Sequence, residues 1–328
     1  MPAPDEFELI KRLFAPLAKH PGALGLEDDA ALLDCPAGFR LVLTTDAIVA
    51  GVHFLPDDPP DLVARKLARV NLSDLAAMGA TPTGLLLAAC FPRDAGLPWI
   101  EKFAAGLAAD CAQFKVPLLG GDTVATPGPA TFSLTAIGMV ESGQELRRST
   151  ARVGDTIWVS GTIGDAAFGL LAARGETGTL NAADTDYLAG RYRLPGPRLA
   201  LGRALHGVAT AAMDISDGLA GDLGHICDAS KVGAAIESAA VPLSQAGAAA
   251  IAAGLGQGLV TVLTGGDDYE LLFTAPAEAD AEVRALGTGL GLRLTPIGRI
   301  IAGSGVRVEG ADGKPLALPA RGYRHFGP

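Results

Sequence analysis

The feature that most constrains this chain is a set of apolar, strand-like segments that each end at an aspartate, in a chain that also contains long helical segments. Three such segments are "RLVLTTD" (40–46), "PLLGGD" (117–122) and "ATAAMD" (209–214). The segment "DLVARKLARVNLSDLAAMGA" (61–80) repeats apolar residues at helical intervals after a capping Asp61, which predicts a long helix. This alternation of strands and helices predicts an α/β fold, in which ligands bind where strands end.

A chain of 328 residues exceeds the usual size of one hydrophobic core, so two domains are expected. The polar stretch "ESGQELRRSTARVGD" (141–155) is the best boundary, which gives domains of 1–145 and 146–328. Further patterns predict an N-terminal helix ended or kinked by Pro16, a helix from Pro98, and strands at 131–140 and 269–275. The uncharged stretch 238–266 is expected to form a buried helix, a loop and a strand.

Composition excludes several classes of function. The formal net charge of -10 and the absence of a basic run argue against nucleic-acid binding. The four cysteines are scattered, which indicates reduced core residues rather than a zinc site or a disulfide scaffold. The N-terminus is unlike a signal peptide, and no stretch has the sustained large apolar content of a membrane span. A soluble cytoplasmic protein is therefore expected.

Aspartates collect at the ends of strands or beside glycines, in "EDDA", "TTD", "GGD", "MDISD" and "GGDD", and Asp74 inside the long helix adds a sixth site. Each one alone is more typical of a turn or a helix cap, but six such sites in both halves favour a shared metal site. Carboxylates with the hydroxyls of Thr44, Thr45 and Ser216 are hard oxygen donors, which suit Mg²⁺, Mn²⁺ or Ca²⁺ rather than zinc. Because Mg²⁺ is commonly shared with substrate phosphates, the pattern indicates nucleotide chemistry.

Within "MDISDGLAGDLGHI" (213–226), Asp214 and Asp217 are predicted to direct oxygens at metals from a strand-to-helix turn. Asp222 and His225 lie further along the helix and are expected on its exposed side. In "SGTIGDAAFG" (160–169), the glycines before a helix either cradle an anion or simply form a turn.

Seven stretches in this order closely resemble the thiamine-monophosphate kinase family: "GLEDDAALL", "TTDAIVAGVHF", "VNLSDLAAMGATP", "LLGGDT", "LRRS", "MDISDGLAGDLGHI" and "GGDDYELLFT". The family belongs to a superfamily with aminoimidazole-ribonucleotide synthetase. The resemblance implies an α/β (α+β) fold of two domains, with an N-terminal domain whose strands form a barrel across a homodimer interface. It also implies transfer of the γ-phosphoryl group of ATP to thiamine monophosphate, giving thiamine diphosphate, with several Mg²⁺ ions and a K⁺ requirement left open.

The resemblance assigns roles to individual residues of this chain. Those that resemble magnesium ligands are Asp29, Thr44, Thr45, Asp46, Asp74, Asp122, Asp214 and Asp217. Those that resemble ATP contacts are Gly121, Asp122, Arg148 and Ser216, and those around thiamine phosphate are His53, Asp267 and Tyr323. No residue is assigned as a general base.

Two positions depart from the family pattern, with Glu27 where glycine is usual and Asp267 where glutamate is common. Two alternatives stay open at this point. One is another ATP-using member of the superfamily, such as selenophosphate synthetase or the hydrogenase-maturation dehydratase, although the early Cys-Lys pair and the terminal cysteine of those enzymes are missing. The other is a protein that binds metal or nucleotide without turnover.

Overall fold

The computed structural model describes residues 6–27, 30–310 and 312–318. The chain divides into two compact units. Unit 1 comprises Met1–Leu75 and Ala80–Gly143, and unit 2 comprises Ala76–Gly79 and Gln144–Pro328. Each unit combines one mixed sheet with helices, so the chain has a two-domain α/β fold.

The described part of unit 1 contains a four-stranded sheet in the order β1-β4-β2-β3. Its elements are α1 (Glu6–Leu9), β1 (Phe39–Val49), α2 (Pro60–Ala77), β2 (Thr81–Pro92), α3 (Leu97–Phe114), β3 (Leu118–Thr126) and β4 (Thr131–Glu141). β4 pairs antiparallel with both β1 and β2, whereas β2 and β3 are parallel. β1 and β3 are the edges, so the described strands form an open sheet and no closed barrel.

Most of the elements that the sequence predicts in this half are confirmed. The strands at 40–46 and 131–140 lie within β1 and β4, the strand at 117–122 overlaps β3, and the predicted long helix is α2. The N-terminal helix α1 continues as a π-helical turn and then as a 3₁₀ turn that contains Pro16. The α-helix itself ends at Leu9, and the helical turns end one residue after Pro16, which lacks the N–H that a further hydrogen bond would need.

Helix α2 is held in place by its apolar face and by a buried ion pair with α3. Leu67, Leu72 and Leu75 are fully buried. Arg69 donates to both oxygens of the buried Asp110 carboxylate, with Nε at 2.6 Å from Oδ2 and Nη2 at 3.1 Å from Oδ1. Loss of one partner of such a buried pair typically costs about 3–5 kcal/mol. The helix that carries the candidate site residue Asp74 is therefore firmly fixed within unit 1.

The described part of unit 2 contains a six-stranded mixed sheet in the order β10-β7-β9-β5-β8-β6. Its elements are β5 (Thr156–Ser160), α4 (Asp165–Ala173), α5 (Ala182–Arg193), α6 (Leu199–Ala204), β6 (Ala211–Asp214), α7 (Leu219–Ser230), β7 (Gly233–Glu237), α8 (Gln245–Ala252), α9 (Leu259–Thr264), β8 (Leu271–Ala275), α10 (Asp280–Leu290), β9 (Leu294–Ile301) and β10 (Gly305–Glu309). Every residue of β5, β6 and β8 is buried, so both faces of the sheet are covered there.

The prediction of a strand within 238–266 is wrong. This stretch forms a 3₁₀ turn followed by α8 and α9, and "LVTVLT" is the helix α9. Its β-branched residues favour a strand, but helical spacing buries both Val262 and Leu263 in the core of unit 2. The Thr264 hydroxyl also donates to the Val260 carbonyl at 2.8 Å, which satisfies a backbone group of the short helix. Tertiary packing thus overrides the local preference for a strand.

Candidate functional site

Three of the predicted metal-ligand positions in unit 1 are linked through β1 and α2. Thr44 and Asp46 alternate along β1 and therefore face the same side of the sheet. The Thr44 hydroxyl donates to Asp74 Oδ2 at 2.5 Å, and the Asp46 N–H donates to Oδ1 of the buried Asn71 at 3.0 Å. Asn71 and Asp74 lie one turn apart on α2. The structure thus brings Thr44 and Asp74 into contact and ties Asp46 to the same helix.

Two other predicted positions lie apart from this group. Thr45 faces the opposite side of the sheet, where its hydroxyl contacts the Leu134 carbonyl at 3.3 Å and accepts from Thr135 at 3.1 Å. Asp122 is exposed on β3, and two strands separate β3 from β1. The Asp122 carboxylate accepts from the Thr123 N–H at 2.9 Å. A single copy of unit 1 therefore does not place Asp122 beside Asp46.

The glycine before Asp122 has a packing reason of its own. A Cβ at Gly121 would lie 2.0 Å from the Leu87 carbonyl oxygen, so β2 and β3 can approach each other only with glycine there. Asp29, the remaining predicted ligand in this half, lies outside the described residues. Among the residues that are described, no three His, Cys, Asp or Glu side chains are grouped closely enough to hold a metal ion.

His53 is held in one tautomer by the turn that follows β1. Its Nδ1 accepts the Val49 N–H at 3.1 Å, so the neutral ring carries its proton on Nε2. The ammonium group of Lys66, which is only 2% exposed, donates to the His53 carbonyl oxygen at 2.9 Å. The ring and backbone of His53 are therefore both fixed, and Nε2 can act as a hydrogen-bond donor.

The turn after β6 in unit 2 is organised around a buried carboxylate. β6 ends at Asp214, and α7 begins after Gly218, whose φ of 121° suits only glycine. Asp222 is 1% exposed, and its Oδ2 accepts the N–H groups of Ser216, Asp217 and Gly218 at 3.0, 3.1 and 3.1 Å. The prediction that Asp222 lies on the exposed side of α7 is therefore wrong, because it points back into the turn to satisfy three amides.

Burial raises the pKa of the Asp222 carboxyl group. Burial is the largest cause and the charge of Asp217 adds to it, whereas the three N–H groups oppose the shift, and the pKa of Asp222 is about 7. His225, one turn further along α7, is exposed as expected.

The loop before β8 joins this turn through the backbone. Asp267 donates its N–H to the Ser216 carbonyl at 2.8 Å, and Tyr269 donates its N–H to the Ile215 carbonyl at 2.8 Å. The Ile215 N–H donates in return to the Glu270 carbonyl at 2.9 Å. Asp267 and Tyr269 have positive φ angles of 72° and 50°, which non-glycine residues rarely adopt. The predicted metal-binding turn and the predicted substrate residue Asp267 thus form one hydrogen-bonded unit.

The Asp268 side chain caps the N-terminus of α4. It is buried, and its two oxygens accept the N–H groups of Gly164 and Ala166 at 2.6 and 3.1 Å. Burial raises the pKa of Asp268 to about 7, against the lowering effect of these two N–H groups and of Arg191. The glycine turn at 160–164 therefore does not cradle an external anion through these amides, because the chain supplies its own carboxylate there.

Glu270 anchors the other end of this loop and was not singled out by sequence reasoning. Its fully buried carboxylate accepts from the Ser160 hydroxyl at 2.6 Å, from Arg191 at 2.9 Å, and from Arg198 Nε at 2.6 Å. The available signal was the alternation of Asp268 and Glu270 with apolar residues next to a strand that is otherwise entirely apolar. Buried acids in such a segment need cationic or amide partners.

Arg148 and Tyr323 are the remaining predicted site residues. Arg148 lies in a short 3₁₀ turn with an exposed side chain, while its carbonyl accepts from Ser230 on α7 at 2.7 Å. Tyr323 lies outside the described residues. No helix in the described ranges has both the length and the apolar content needed to cross a membrane.

Comparison with known proteins shows which family the chain belongs to. Residues 27–140 match the N-terminal domain of AIR synthase related protein, and residues 152–311 match its C-terminal domain. The chain is 43% identical over 328 residues to the thiamine-monophosphate kinase of Escherichia coli (strain K12), with 98% of each chain covered. The chain belongs to the thiamine-monophosphate kinase family.

Two solved structures of the thiamine-monophosphate kinase family are similar to the chain. The enzyme from Stenotrophomonas maltophilia K279a is 44% identical, with a TM-score of 0.83, and the match covers 95% of this chain and 98% of that one. AaThiL, complexed with AMPPCP and TMP, is 32% identical, with a TM-score of 0.79, and the match covers 98% and 97% of the two chains. The chain is thus similar, over nearly its whole length, to a protein whose structure contains AMPPCP and TMP.

Proposed function

We propose that this chain transfers the γ-phosphoryl group of ATP to thiamine monophosphate and releases thiamine diphosphate and ADP. The observation that carries the proposal is the family relationship over 98% of the chain to a thiamine-monophosphate kinase. The complex of AaThiL with AMPPCP and TMP supports the choice of both substrates. The aspartates singled out in the sequence are the oxygen ligands that we propose for this reaction.

Magnesium is the metal that the donor set fits best. The Thr44 hydroxyl and the Asp74 carboxylate are in contact and are both hard oxygen donors, and Asp46 on the same strand carries another carboxylate. The residues that we propose to hold several Mg²⁺ ions are Asp29, Thr44, Thr45, Asp46, Asp74, Asp122, Asp214 and Asp217. Bound Mg²⁺ neutralises negative charge on the phosphates of the two substrates.

The chemical step needs no general base from the protein. A phosphate monoester is already anionic at neutral pH, so one of its oxygens attacks the γ-phosphorus directly. A new O–P bond to the γ-phosphorus forms while the bond from that atom to the β–γ bridging oxygen breaks, and ADP leaves with the electron pair. The protein's task is to position two anions in line and to offset their repulsion.

Separate groups of residues are proposed for the two substrates. Gly121, Asp122, Arg148 and Ser216 are assigned to ATP, and His53, Asp267 and Tyr323 to thiamine monophosphate. The protonated Nε2 of His53 suits a substrate phosphate oxygen, because the Val49 N–H occupies Nδ1. The carboxylate of Asp267 suits the cationic thiazolium ring, and Tyr323 suits stacking on it.

We also propose that two copies of the chain form a homodimer in which their N-terminal sheets complete a barrel. Phe39, Leu41 and Leu43 alternate along the edge strand β1, and their exposed fractions are 40%, 39% and 63%. Such an apolar edge strand is a liability in a monomer and a ready surface for strand pairing. We place the domains at 1–145 and 146–328, and the protein in the cytoplasm, where ATP and Mg²⁺ are available.

The test is to measure ADP release from ATP and Mg²⁺ with thiamine monophosphate, with thiamine, or without an acceptor. We expect ADP and thiamine diphosphate, identified by chromatography, only with the monophosphate. Parallel reactions without K⁺ test for a requirement for that ion. ADP formation that is independent of the acceptor, or the absence of any turnover despite nucleotide binding, would reject the proposed acceptor.

The Asp214→Asn variant links the activity to the metal-binding turn. Asp214 is 2% exposed at the end of β6, and asparagine has the same shape without the negative charge. We expect turnover to be lost while circular dichroism and the thermal transition stay close to those of the wild type. The control is Asp186→Asn, which removes an exposed carboxylate from α5. Near-normal activity of Asp214→Asn would remove this residue from the metal site.

A further inference from the structure

The Asp222 carboxylate fills a position that normally attracts an external anion. Three consecutive amides, those of Ser216, Asp217 and Gly218, converge on its Oδ2 at 3.0 to 3.1 Å. Converging N–H groups at the start of a helix form a binding site for phosphate or carboxylate. Here the site lies at the start of α7 and is occupied from within, because Asp222 is itself only 1% exposed.

The direction of these amides decides which groups the turn presents to solvent. With all three N–H groups turned towards Asp222, the turn can offer ligands only its side chains and carbonyl groups. The side chains of Ser216 and Asp217 are partly exposed. These are two of the residues proposed to contact ATP and Mg²⁺.

The turn has little freedom to take another shape while α7 stays in place. Gly218 has a φ of 121°, and a Cβ there would lie 2.7 Å from the Thr264 carbonyl carbon. The Ser216 carbonyl also accepts the Asp267 N–H at 2.8 Å. If the Asp222 carboxylate is removed, three amides lose their acceptor at once, and each must find water or move.

We propose that Asp222 is a positioning residue, whose carboxylate holds the Ser216–Gly218 turn so that Ser216 and Asp217 meet the Mg²⁺-bound nucleotide. This inference rests on the proposed function, and it assigns to Asp222 a role through the backbone rather than contact with a substrate. We therefore expect loss of the Asp222 carboxylate to weaken the use and binding of Mg·ATP more than it changes the KM for thiamine monophosphate.

The matched variants are Asp222→Ala, Asp222→Asn and Asp228→Ala. Asp222→Ala removes the acceptor, whereas asparagine keeps one neutral acceptor oxygen. Asp228 is an exposed carboxylate on the same helix, so Asp228→Ala controls for the loss of charge from α7. Added formate tests the role directly, because a free carboxylate can enter the space left by Asp222→Ala and accept the same three N–H groups.

The readouts are steady-state kinetics with each substrate varied and calorimetric titration of Mg²⁺-bound AMPPCP, which needs no turnover. For Asp222→Ala we expect kcat/KM for Mg·ATP to fall by about tenfold or more, and the Kd of the analogue to rise by about tenfold. The KM for thiamine monophosphate should change by less than about threefold. Formate should restore part of the loss in Asp222→Ala and have no effect on Asp228→Ala.

Each outcome bears on the proposal. A folded Asp222→Ala variant whose constants equal those of Asp228→Ala would overturn it, and so would a loss that formate leaves unchanged. If Asp222→Ala does not fold, Asp222→Asn carries the test: its Kd for the analogue should rise by about threefold, and an unchanged Kd would overturn the proposal. If the wild type forms no thiamine diphosphate, the proposed function fails, while the binding constants still test Asp222.

Discussion

The guanidinium group of Arg198 donates to both carboxylate oxygens of Glu270, with Nε at 2.6 Å from Oε2. Glu270 is fully buried immediately after the strained backbone of Asp267 and Tyr269. The ion pair therefore does more than neutralise a charge: it fixes the end of the loop that carries the proposed substrate residue Asp267. Two-point recognition of this kind suits arginine and cannot be reproduced by lysine.

Replacing Arg198 with methionine should destabilise the protein strongly. The change keeps most of the side-chain volume but leaves the buried Glu270 carboxylate with fewer donors, and breaking such pairs costs about 3–5 kcal/mol. Urea denaturation at neutral pH measures the free energy of unfolding. Arg203→Met, at an exposed arginine of α6, is the matched control. Equal midpoints for the two variants would show that the Glu270 ion pair adds nothing to stability.

Gly161→Ala should be more harmful than an ordinary glycine substitution at positive φ. Gly161 has a φ of 60°, and a Cβ there would lie 2.2 Å from Glu270 Oε1, while Ser160, Arg191 and Arg198 already hold the Glu270 carboxylate. Gly207 has a φ of 75° and nothing within 4 Å of its Cβ position, so Gly207→Ala measures the backbone cost alone, about 1 kcal/mol.

We expect Gly161→Ala to lower the free energy of unfolding by about 3 kcal/mol or more, because backbone strain and steric overlap add. Thermal unfolding followed by circular dichroism compares the two variants. Similar losses for Gly161→Ala and Gly207→Ala would mean that Glu270 can move aside, contrary to its four hydrogen-bonding contacts.

Asp268 should make stability fall as the pH rises from about 4 to about 7. Its pKa is raised from 3.8 to about 7 in the folded chain, mainly by burial; the charge of Arg191 lowers the pKa and that of Asp165 raises it. Between these values the folded chain keeps a proton that the unfolded chain has lost, so the stabilisation is complete below about 4 and lost above about 7. The full difference corresponds to about 4 kcal/mol.

The Asp268→Asn variant should flatten this dependence, since asparagine does not titrate. The measurement is the free energy of unfolding in urea at several pH values between 4 and 8 for the wild type and the variant. Asp186→Asn controls for the loss of a carboxylate at an exposed position. A slope identical to that of the wild type would show that Asp268 is already ionised throughout this range.

The sequence predicted the parts of the fold that depend on local periodicity. β1, α2 and α3 were found because their apolar residues repeat at strand or helix spacing over many residues. A strand is predicted within 238–266, where the chain instead forms α8 and α9, because the packing that stabilises the six β-branched and apolar residues of α9 as a helix comes from distant parts of unit 2. α5, β7, α10, β9 and β10 were not assigned, since their patterns are short or interrupted by glycine.

The sequence identified site residues whose side-chain type itself indicates a role. It did not identify residues whose role depends on a contact with a distant part of the chain. Thr44 and Asp74 were both singled out, and their contact at 2.5 Å joins residues 30 positions apart. The predicted exposure of Asp222 was wrong, because three backbone amides stabilise its buried carboxylate. The type of residue in the turn does not indicate where its backbone N–H groups point. Arg198 was missed because its partner Glu270 is 72 positions away.

A single substitution on the edge strand β1 tests the proposed homodimer. Leu43 is 63% exposed on the edge strand β1, where an aspartate is compatible with the folded monomer but places a charge on the proposed interface. We expect Leu43→Asp to sediment as a monomer at concentrations where the wild type is a dimer. Leu290→Asp, at a leucine of α10 that is 39% exposed, should leave the dimer intact. A dimeric Leu43→Asp protein would move the interface away from β1, and a monomeric wild type would reject the dimer altogether.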